Sequence, residues 1–268
     1  MYILFFDFYI KQEYLQTMKC TWKSTAETLK IFKSIQHTNT MVNISFSDNG
    51  LYIMSMDTSK TSLVRLILVP EFFESYECSS PLVFGIYTET LMNVLQKAKH
   101  TVMTWKATND LILTLEFTDK DFKTEFALRT IQIDDEQLDI PEMEDDVAFN
   151  VQSSVVKDWI DKVLMTKGDV SFDITKTHFV CSSESTELGE IKHTEPIGGE
   201  RIQLKTHRQD VSIALSFNST RSFAAFAACG GDACFVGFSN TQPSRIVVPL
   251  EHSSSLCLYV APKIIEED

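Results

Sequence analysis

Two runs of carboxylates are the first residues whose chemistry could matter. Asp and Glu are concentrated in residues 134–136 and 142–146. Two carboxylates held against one substrate can act as a general acid and a general base. Both runs, however, lie in a stretch that contains Pro141 and few apolar residues, which is typical of a linker exposed to water. We therefore interpret these carboxylates as a solvated surface and not as catalytic groups.

Histidine, cysteine and glycine offer no better catalytic pattern. The sequence has no HExxH and no CxxC spacing, and its glycine pairs at 198–199 and 230–231 lack the other residues of a nucleotide-binding loop. We predict that the protein is not an enzyme, with no catalytic residue, no metal and no cofactor, and that its thiols are reduced. The histidines and cysteines are His37, His100, His178, His193, His207 and His252, and Cys20, Cys78, Cys181, Cys229, Cys234 and Cys257.

Basic side chains on predicted helices are candidates for contacts with phosphate groups. At ~100° per residue, Lys30, Lys33 and His37 fall within about 60° of one another, away from the apolar stripe that begins at Leu29. The residues alone leave an alternative open, because any amphipathic helix carries lysine opposite its buried face. The net charge of −13 disfavours DNA binding over the whole surface but does not exclude a basic stripe on one face.

Four near-equal units of strand, helix and further strands would position these side chains. The units begin near residues 19, 81, 147 and 211, and their predicted helices span 24–37, 88–99, 153–166 and 219–229. The first helix starts at a capping box, in which Ser24 precedes Glu27 by three residues. This order of elements predicts an internally duplicated α+β fold, in which the acidic stretch 133–146 joins two domains.

The composition agrees with a globular chain of two domains. The chain has 268 residues, of which 44% are hydrophobic. No apolar run approaches the ~20 residues that a membrane-spanning helix requires. Residues 1–10 are apolar, but they lack the basic start and the cleavage site of a signal peptide. We therefore expect no membrane association.

Three segments resemble one protein family. Residues 55–57 (SMD) with 62–64 (SLV), residues 137–141 (QLDIP) and residues 258–264 (LYVAPKI) are similar to motifs of the proliferating cell nuclear antigen (PCNA) family of eukaryotic-type sliding clamps. The resemblance begins at Met18, so residues 1–17 would be an extension. It implies the DNA clamp fold: domains 18–132 and 147–268 of similar topology, each with two short helices against antiparallel sheets, joined by a connector at 133–146.

The resemblance also implies a function. A clamp of this family is a ring of three subunits that encircles double-stranded DNA without reading its sequence, and it tethers a DNA polymerase and other replication and repair proteins. A separate clamp loader opens the ring, and the expected location is the nucleus or the replication site of a large DNA virus. Two alternatives stay open: a clamp-fold scaffold that binds peptides without encircling DNA, and a subunit of a heterotrimeric, checkpoint-like clamp.

Site residues follow from the resemblance position by position. Residues 121–129 and 188–194 align with the edge strands through which subunits meet. The inner wall would be less basic than the family pattern, because Asn93, Gln96 and Asp161 stand at or near positions that are often basic. The expected DNA-binding residues are Lys30, Lys33, Lys97, Lys157, Lys162 and Arg221. The expected lining of the groove for partner peptides is Met56, Lys60, Leu63, Leu138, Ile140, Pro141, Pro243, Tyr259, Val260, Ala261 and Pro262.

Overall fold

The structure is a computed structural model that describes residues 17–97, 101–134, 140, 142–230 and 233–263. The predicted extension therefore lies outside the described residues except for Thr17, as do His100 and the carboxylates Asp135 and Glu136. Four α-helices and eighteen strands make up the described part of the chain.

The first half contains nine strands and two helices. In chain order they are β1 (Met18–Trp22), α1 (Thr25–Thr38), β2 (Met41–Ser47), β3 (Gly50–Met56), β4 (Ser62–Leu68), β5 (Phe73–Cys78), β6 (Leu82–Tyr87), α2 (Thr88–Leu95), β7 (Val102–Ala107), β8 (Ile112–Thr118) and β9 (Lys123–Arg129).

The second half repeats the same order of elements. They are β10 (Val147–Val151), α3 (Ser153–Val163), β11 (Val170–Ile174), β12 (His178–Ser185), β13 (Gly189–Pro196), β14 (Ile202–His207), β15 (Val211–Leu215), α4 (Phe217–Ala227), β16 (Cys234–Phe238), β17 (Ser244–Pro249) and β18 (Ser255–Val260). Each half thus reads strand, helix, five strands, helix and three strands. The predicted α+β fold with two similar halves is confirmed.

Three antiparallel sheets connect the strands. One sheet has the order β5-β1-β7-β8-β9, and another has the order β13-β12-β11-β15. The third has nine strands in the order β14-β10-β16-β17-β18-β4-β3-β2-β6, because β18 of the second half pairs with β4 of the first. Five strands of one half and four of the other therefore share one continuous sheet.

The predicted first helix is confirmed, and the other three helices differ slightly from their predicted bounds. The Ser24 hydroxyl accepts a hydrogen bond from the Glu27 amide at 3.2 Å and starts α1 as the capping box predicts. Helix α2 ends at Leu95 and not at 99, because the chain enters a turn at Gln96 and Lys97. Helix α3 passes at Val163 into a short 3₁₀ turn, and α4 begins two residues earlier than predicted, at Phe217.

Aromatic side chains fill the core of each half. In the first half, Trp22 lies with its ring centroid 4.9 Å from both Phe73 and Trp105. In the second half, Trp159 of α3 stacks on Phe179 of β12 at 4.3 Å. Burial of such large apolar surfaces is the main stabilising contribution that a domain of this size has.

Both ends of the connector are fixed to the nine-stranded sheet. At its start, the Ile131 amide donates to the Gly85 carbonyl at 2.9 Å, and a Cβ on Gly85 would lie only 2.1 Å from the Ile131 carbonyl oxygen. At its end, the buried Asp145 carboxylate binds the Arg245 guanidinium through two nitrogens. That carboxylate lies against Gly237, where a Cβ would collide with it. The described chain at either end of the predicted connector is therefore fixed to the sheet.

Candidate nucleic-acid and peptide interfaces

The four helices form a single row, in which α1, α2 and α4 pack on one face of the nine-stranded sheet and α3 packs on β12 and β13 of the four-stranded sheet. Helix α1 contacts α2 and α4, and α4 contacts α3, so the spatial order is α2-α1-α4-α3. In the nine-stranded sheet, α2 contacts β2 and β6, α1 contacts β4, and α4 contacts β17 and β18. The row crosses from one half to the other where α1 meets α4, with the Cys229 thiol 3.2 Å from the Ser34 hydroxyl.

Basic side chains gather where α1 meets α4. Lys30, Lys33 and Arg221 are exposed, and none of them forms an ion pair within 4 Å with a carboxylate of the described residues. His37 lies close to them: partial burial lowers its pKa, and the positive charges of Arg221 and Lys33 lower it further. His37 was not among the predicted DNA-binding residues, although its angular position beside Lys30 and Lys33 is readable from the sequence.

The lysines of α3 are arranged differently. Lys162 donates to Asp158 at 2.8 Å, and Lys157 pairs with Asp161, so four exposed side chains form two ion pairs along one helix. Trp159 on the same helix is buried, and its Nε1 donates to Glu195 at 3.1 Å. The exposed face of α3 therefore presents no net charge from these four residues.

Lys97 does not lie on a helix. It is exposed in the turn after α2, where its amide donates to the Val94 carbonyl at 2.9 Å. Lys97 therefore lies within the predicted helix 88–99 but outside α2, and its assignment as a DNA-binding residue stays a prediction.

The opposite face of the same sheet carries the connector. Along β4, Val64, Leu66 and Leu68 are fully buried, while the alternate residues Leu63 and Arg65 are only partly buried. Alternation of side chains along a strand places the two sets on opposite faces. The nine-stranded sheet thus separates the row of helices from a second surface that contains Leu63.

A groove on this second surface brings together most of the predicted peptide-binding residues that the structure describes. It has a volume of about 210 Å³. Its lining consists of Met56, Lys60, Leu63, Ile140, Pro243, Tyr259 and Ala261 from the predicted set, with Thr61, Ser62 and Met143 in addition. We call this surface the peptide groove.

Four segments that are distant in the sequence build the peptide groove, and one of them contributes only Pro243. The Asp57 carboxylate accepts hydrogen bonds from the amides of Thr61 and Ser62 at 2.8 and 2.9 Å and fixes the loop between β3 and β4. The Ala261 amide donates to the Thr61 carbonyl at 2.8 Å, which holds the segment after β18 beside that loop. The connector supplies Ile140 and Met143.

Some predicted groove residues lie elsewhere. Val260 is fully buried, because alternation along β18 directs it away from the face that carries Tyr259. Pro262 does not line the groove, and Leu138 and Pro141 lie outside the described residues. Sequence reasoning missed Met143, whose signal was an apolar residue in an otherwise acidic segment.

Both predicted edge strands lie at the edges of their sheets. Strand β9 ends the five-stranded sheet, and β13 ends the four-stranded sheet. Exposed apolar side chains lie next to each: Ile112 and Phe122 near β9, and Leu188 beside β13. Backbone groups on such edges are available for pairing with another strand.

Within the described ranges, no three His, Cys, Asp or Glu side chains come together as a metal site would require. The helices of that same part of the chain are all too short or too polar to cross a bilayer.

Comparison with known proteins gives a consistent set of relatives. Residues 18–138 match the family model described as proliferating cell nuclear antigen, N-terminal domain. The chain is 27% identical over 252 residues to the probable DNA polymerase sliding clamp 2 of Paramecium bursaria Chlorella virus 1, a match that covers 90% of this chain and 89% of that protein. It is also 27% identical to the proliferating cell nuclear antigen of Chaetomium thermophilum, over 84% of this chain and 90% of that protein.

A solved structure supports the fold. The proliferating cell nuclear antigen of Entamoeba histolytica superposes with a TM-score of 0.83 at 21% sequence identity, and the match covers 92% of this chain and 99% of that one.

Proposed function

This chain belongs to the proliferating cell nuclear antigen family and is a DNA sliding clamp, and we propose that it works as a closed homotrimer around duplex DNA. Residues 18–132 and 147–268 are proposed as the two clamp domains, 133–146 as the connector and 1–17 as an extension. In this role it tethers a DNA polymerase, and other replication and repair proteins, at sites of DNA replication such as the nucleus. A loader of the kind that opens related rings would place it on circular DNA.

The proposal of a ring rests on the antiparallel pairing of β18 with β4, which we call the joint between the two halves. Strand β18 ends the second half, and β9 holds the equivalent place in the first half; β4 and β13 are likewise equivalent. The joint inside the chain therefore has a counterpart between chains, in which β9 of one subunit pairs with β13 of the next. Such pairing would join five strands to four and produce a second nine-stranded sheet, and a head-to-tail contact of this type closes a ring by rotation.

DNA would pass along the row of helices. Lys30, Lys33 and Arg221 are exposed there, and threefold repetition would surround the duplex with their charges. The sequence contains no base-reading motif, so the contact would involve phosphates and be independent of the DNA sequence. Lys157, Lys162 and Lys97 would contribute less, because the first two are already paired and the third lies beyond α2.

Partner proteins would bind the peptide groove on the opposite face. A peptide with a glutamine, an aliphatic residue and two adjacent aromatic residues would place its apolar side chains against Met56, Leu63, Ile140 and Tyr259. Truncation of a central anchor typically costs ~2 kcal/mol or more, so Ile140→Ala should weaken binding about thirtyfold.

A topological experiment tests the ring. Light scattering should give three times the chain mass of 30.5 kDa at micromolar concentration. On linear primed DNA a preformed ring can thread over an end without a loader, so the protein should stimulate its polymerase there. Blocking both ends with bound streptavidin should abolish the stimulation. A monomer in solution, or stimulation that persists on blocked DNA, would instead favour a peptide-binding scaffold that does not encircle DNA.

A further inference from the structure

A second cavity adjoins the peptide groove beneath the last part of the connector. Its volume is about 660 Å³. It shares Ile140, Met143 and Tyr259 with the peptide groove, and three arginines, Arg65, Arg208 and Arg245, line the remainder together with carboxylates of the connector. We call it the arginine cleft. These arginines come from β4, from the segment after β14 and from β17, so their meeting is a product of the fold.

Two of the three arginines are already neutralised within the chain. Arg245 binds the buried Asp145 carboxylate through two nitrogens and lies over the Phe235 ring at 5.2 Å. Arg208 forms an ion pair with Glu144. These pairs fix the end of the connector, which gives the cleft a rigid wall.

Arg65 differs from both. Its guanidinium lies 5.8 Å from the centre of the Tyr259 ring, and its one hydrogen-bond acceptor within the described residues is the Cys257 sulfur at 3.7 Å. The Nε atom is buried and has no acceptor in that part of the chain, and no described carboxylate lies within 4 Å of the side chain. A half-buried charge without a counter-ion is costly, and a guanidinium is shaped to bind a carboxylate through two nitrogens.

The register of the strands places this charge next to the apolar anchors. Arg65 follows Leu63 by two residues on β4, on the same face and about 7 Å farther along the strand. Tyr259 pairs with Leu63 on one side and with Arg245 on the other. One extended peptide therefore has a continuous path from the apolar groove to Arg65.

We propose that the arginine cleft receives an acidic side chain of the same partner peptide that fills the peptide groove, and that the guanidinium of Arg65 binds its carboxylate. This inference rests on the proposed peptide-binding function and adds a specificity for acidic residues beside the apolar anchors. Partners with a carboxylate at that place would bind more tightly than partners with the same anchors and an amide, because only a carboxylate supplies the charge that Arg65 lacks.

Calorimetry with matched peptides tests the proposal on the full chain. Three synthetic peptides share the anchors and differ in their flanks: glutamates before the anchors, glutamates after them, or glutamines at all these positions. One glutamate peptide should bind the wild-type protein roughly tenfold more tightly than the glutamine peptide. The Arg65→Gln variant should lose this advantage while binding the glutamine peptide as well as wild type does. Lys176→Gln, which removes an exposed charge elsewhere, should retain it.

The possible results separate this inference from the proposed function. If neither glutamate peptide is favoured, or if the advantage survives in Arg65→Gln, the arginine cleft does not read acidic residues, and the peptide groove stands unaffected. An equal loss for all three peptides in Arg65→Gln would mean that Arg65 supports the groove structurally, which also overturns the inference. If none of the three peptides binds the wild-type protein, or if Ile140→Ala binds them as tightly as wild type does, the proposed peptide groove itself is wrong, and the inference falls with it.

Discussion

The first helix of each half shows how one fold can carry two different surfaces. Helices α1 and α3 hold equivalent places in the order of elements, and each has two exposed lysines. On α1 these lysines have no ion-pair partner among the described residues, whereas on α3 both are paired with aspartates one turn away. Positive charge is therefore concentrated at the α1-α4 junction, so a ring would present it in three separate patches and not as a continuous band.

Reversal of the two charges on α1 should reduce polymerase stimulation more than any other change to these helices. In Lys30→Glu with Lys33→Glu, each subunit repels the duplex at the site where attraction is proposed, so stimulation of the polymerase on primed DNA should be lost at physiological salt. Mass by light scattering and affinity for the anchor peptide should remain unchanged, since both side chains are exposed and distant from the peptide groove.

The matched control is the same reversal on α3. Lys157→Glu with Lys162→Glu should reduce stimulation less, because those lysines already neutralise Asp161 and Asp158. Equal losses in the two double variants would show that the ion pairs of α3 open when DNA binds, and the contrast between the helices would disappear.

Removal of the buried Glu195 carboxylate, which accepts a hydrogen bond from α3, should give the next largest effect. Glu195 of β13 accepts from Trp159 Nε1 and pairs with Arg201 at 3.1 Å, whereas Trp22 and Trp105 of the first half have no acceptor for Nε1 among the described residues. Glu195→Ala leaves the Trp159 donor unsatisfied and should lower the free energy of unfolding by about 2 kcal/mol in urea, at one fixed protein concentration. Glu190→Ala, exposed on the same strand, should change it by less than about 0.5 kcal/mol. Similar values for both would mean that water replaces the lost acceptor.

Removal of the two aspartates of α3 should leave its lysines unpaired, as the lysines of α1 already are among the described residues. Asp158→Asn with Asp161→Asn frees two lysines per subunit, so the affinity for duplex DNA should rise several-fold at low salt. The slope of log affinity against log salt should steepen by about 0.9 for every additional phosphate contacted. Fluorescence anisotropy with a labelled duplex measures both quantities. An unchanged slope would place α3 out of reach of the DNA.

His37 gives the smallest expected effect. Its pKa is lowered, first by burial and then by Arg221 and Lys33, so below pH 6.5 the unfolded chain binds this proton before the folded chain does, and the folded state loses stability as the pH falls. Phosphates near the α1-α4 junction would favour the protonated form. Wild type should therefore gain more affinity for DNA than His37→Gln between pH 7.5 and pH 5.5, by up to about fivefold. If the DNA affinities of wild type and His37→Gln change equally with pH, the duplex does not lie close to His37.

Much of the fold could be predicted from the sequence because its signals are local. The capping box at Ser24 indicated the start of α1, and the order of strands and helices indicated two similar halves. The ion pairs of α3 were also readable from their spacing of four residues. The arginine cleft was not, because Arg65 and Arg245 become neighbours only through the register of strands far apart in the chain. Val260, by contrast, could have been excluded from the groove on the sequence alone, because alternation along β18 places it on the face opposite to Tyr259.

The pairing of β18 with β4 also has a consequence for biosynthesis. Arg65 and Cys257, which are opposite each other in this pairing, are 192 residues apart in the chain. At a synthesis rate of about 5–20 residues per second, β4 leaves the ribosome roughly 10 to 40 s before its partner strand exists. During that interval the nascent first half has an open strand edge at β4, where it can pair with another chain. The nascent chain is thus most exposed to misassembly in the middle of its translation, and chaperone binding at that stage would favour the correct sheet.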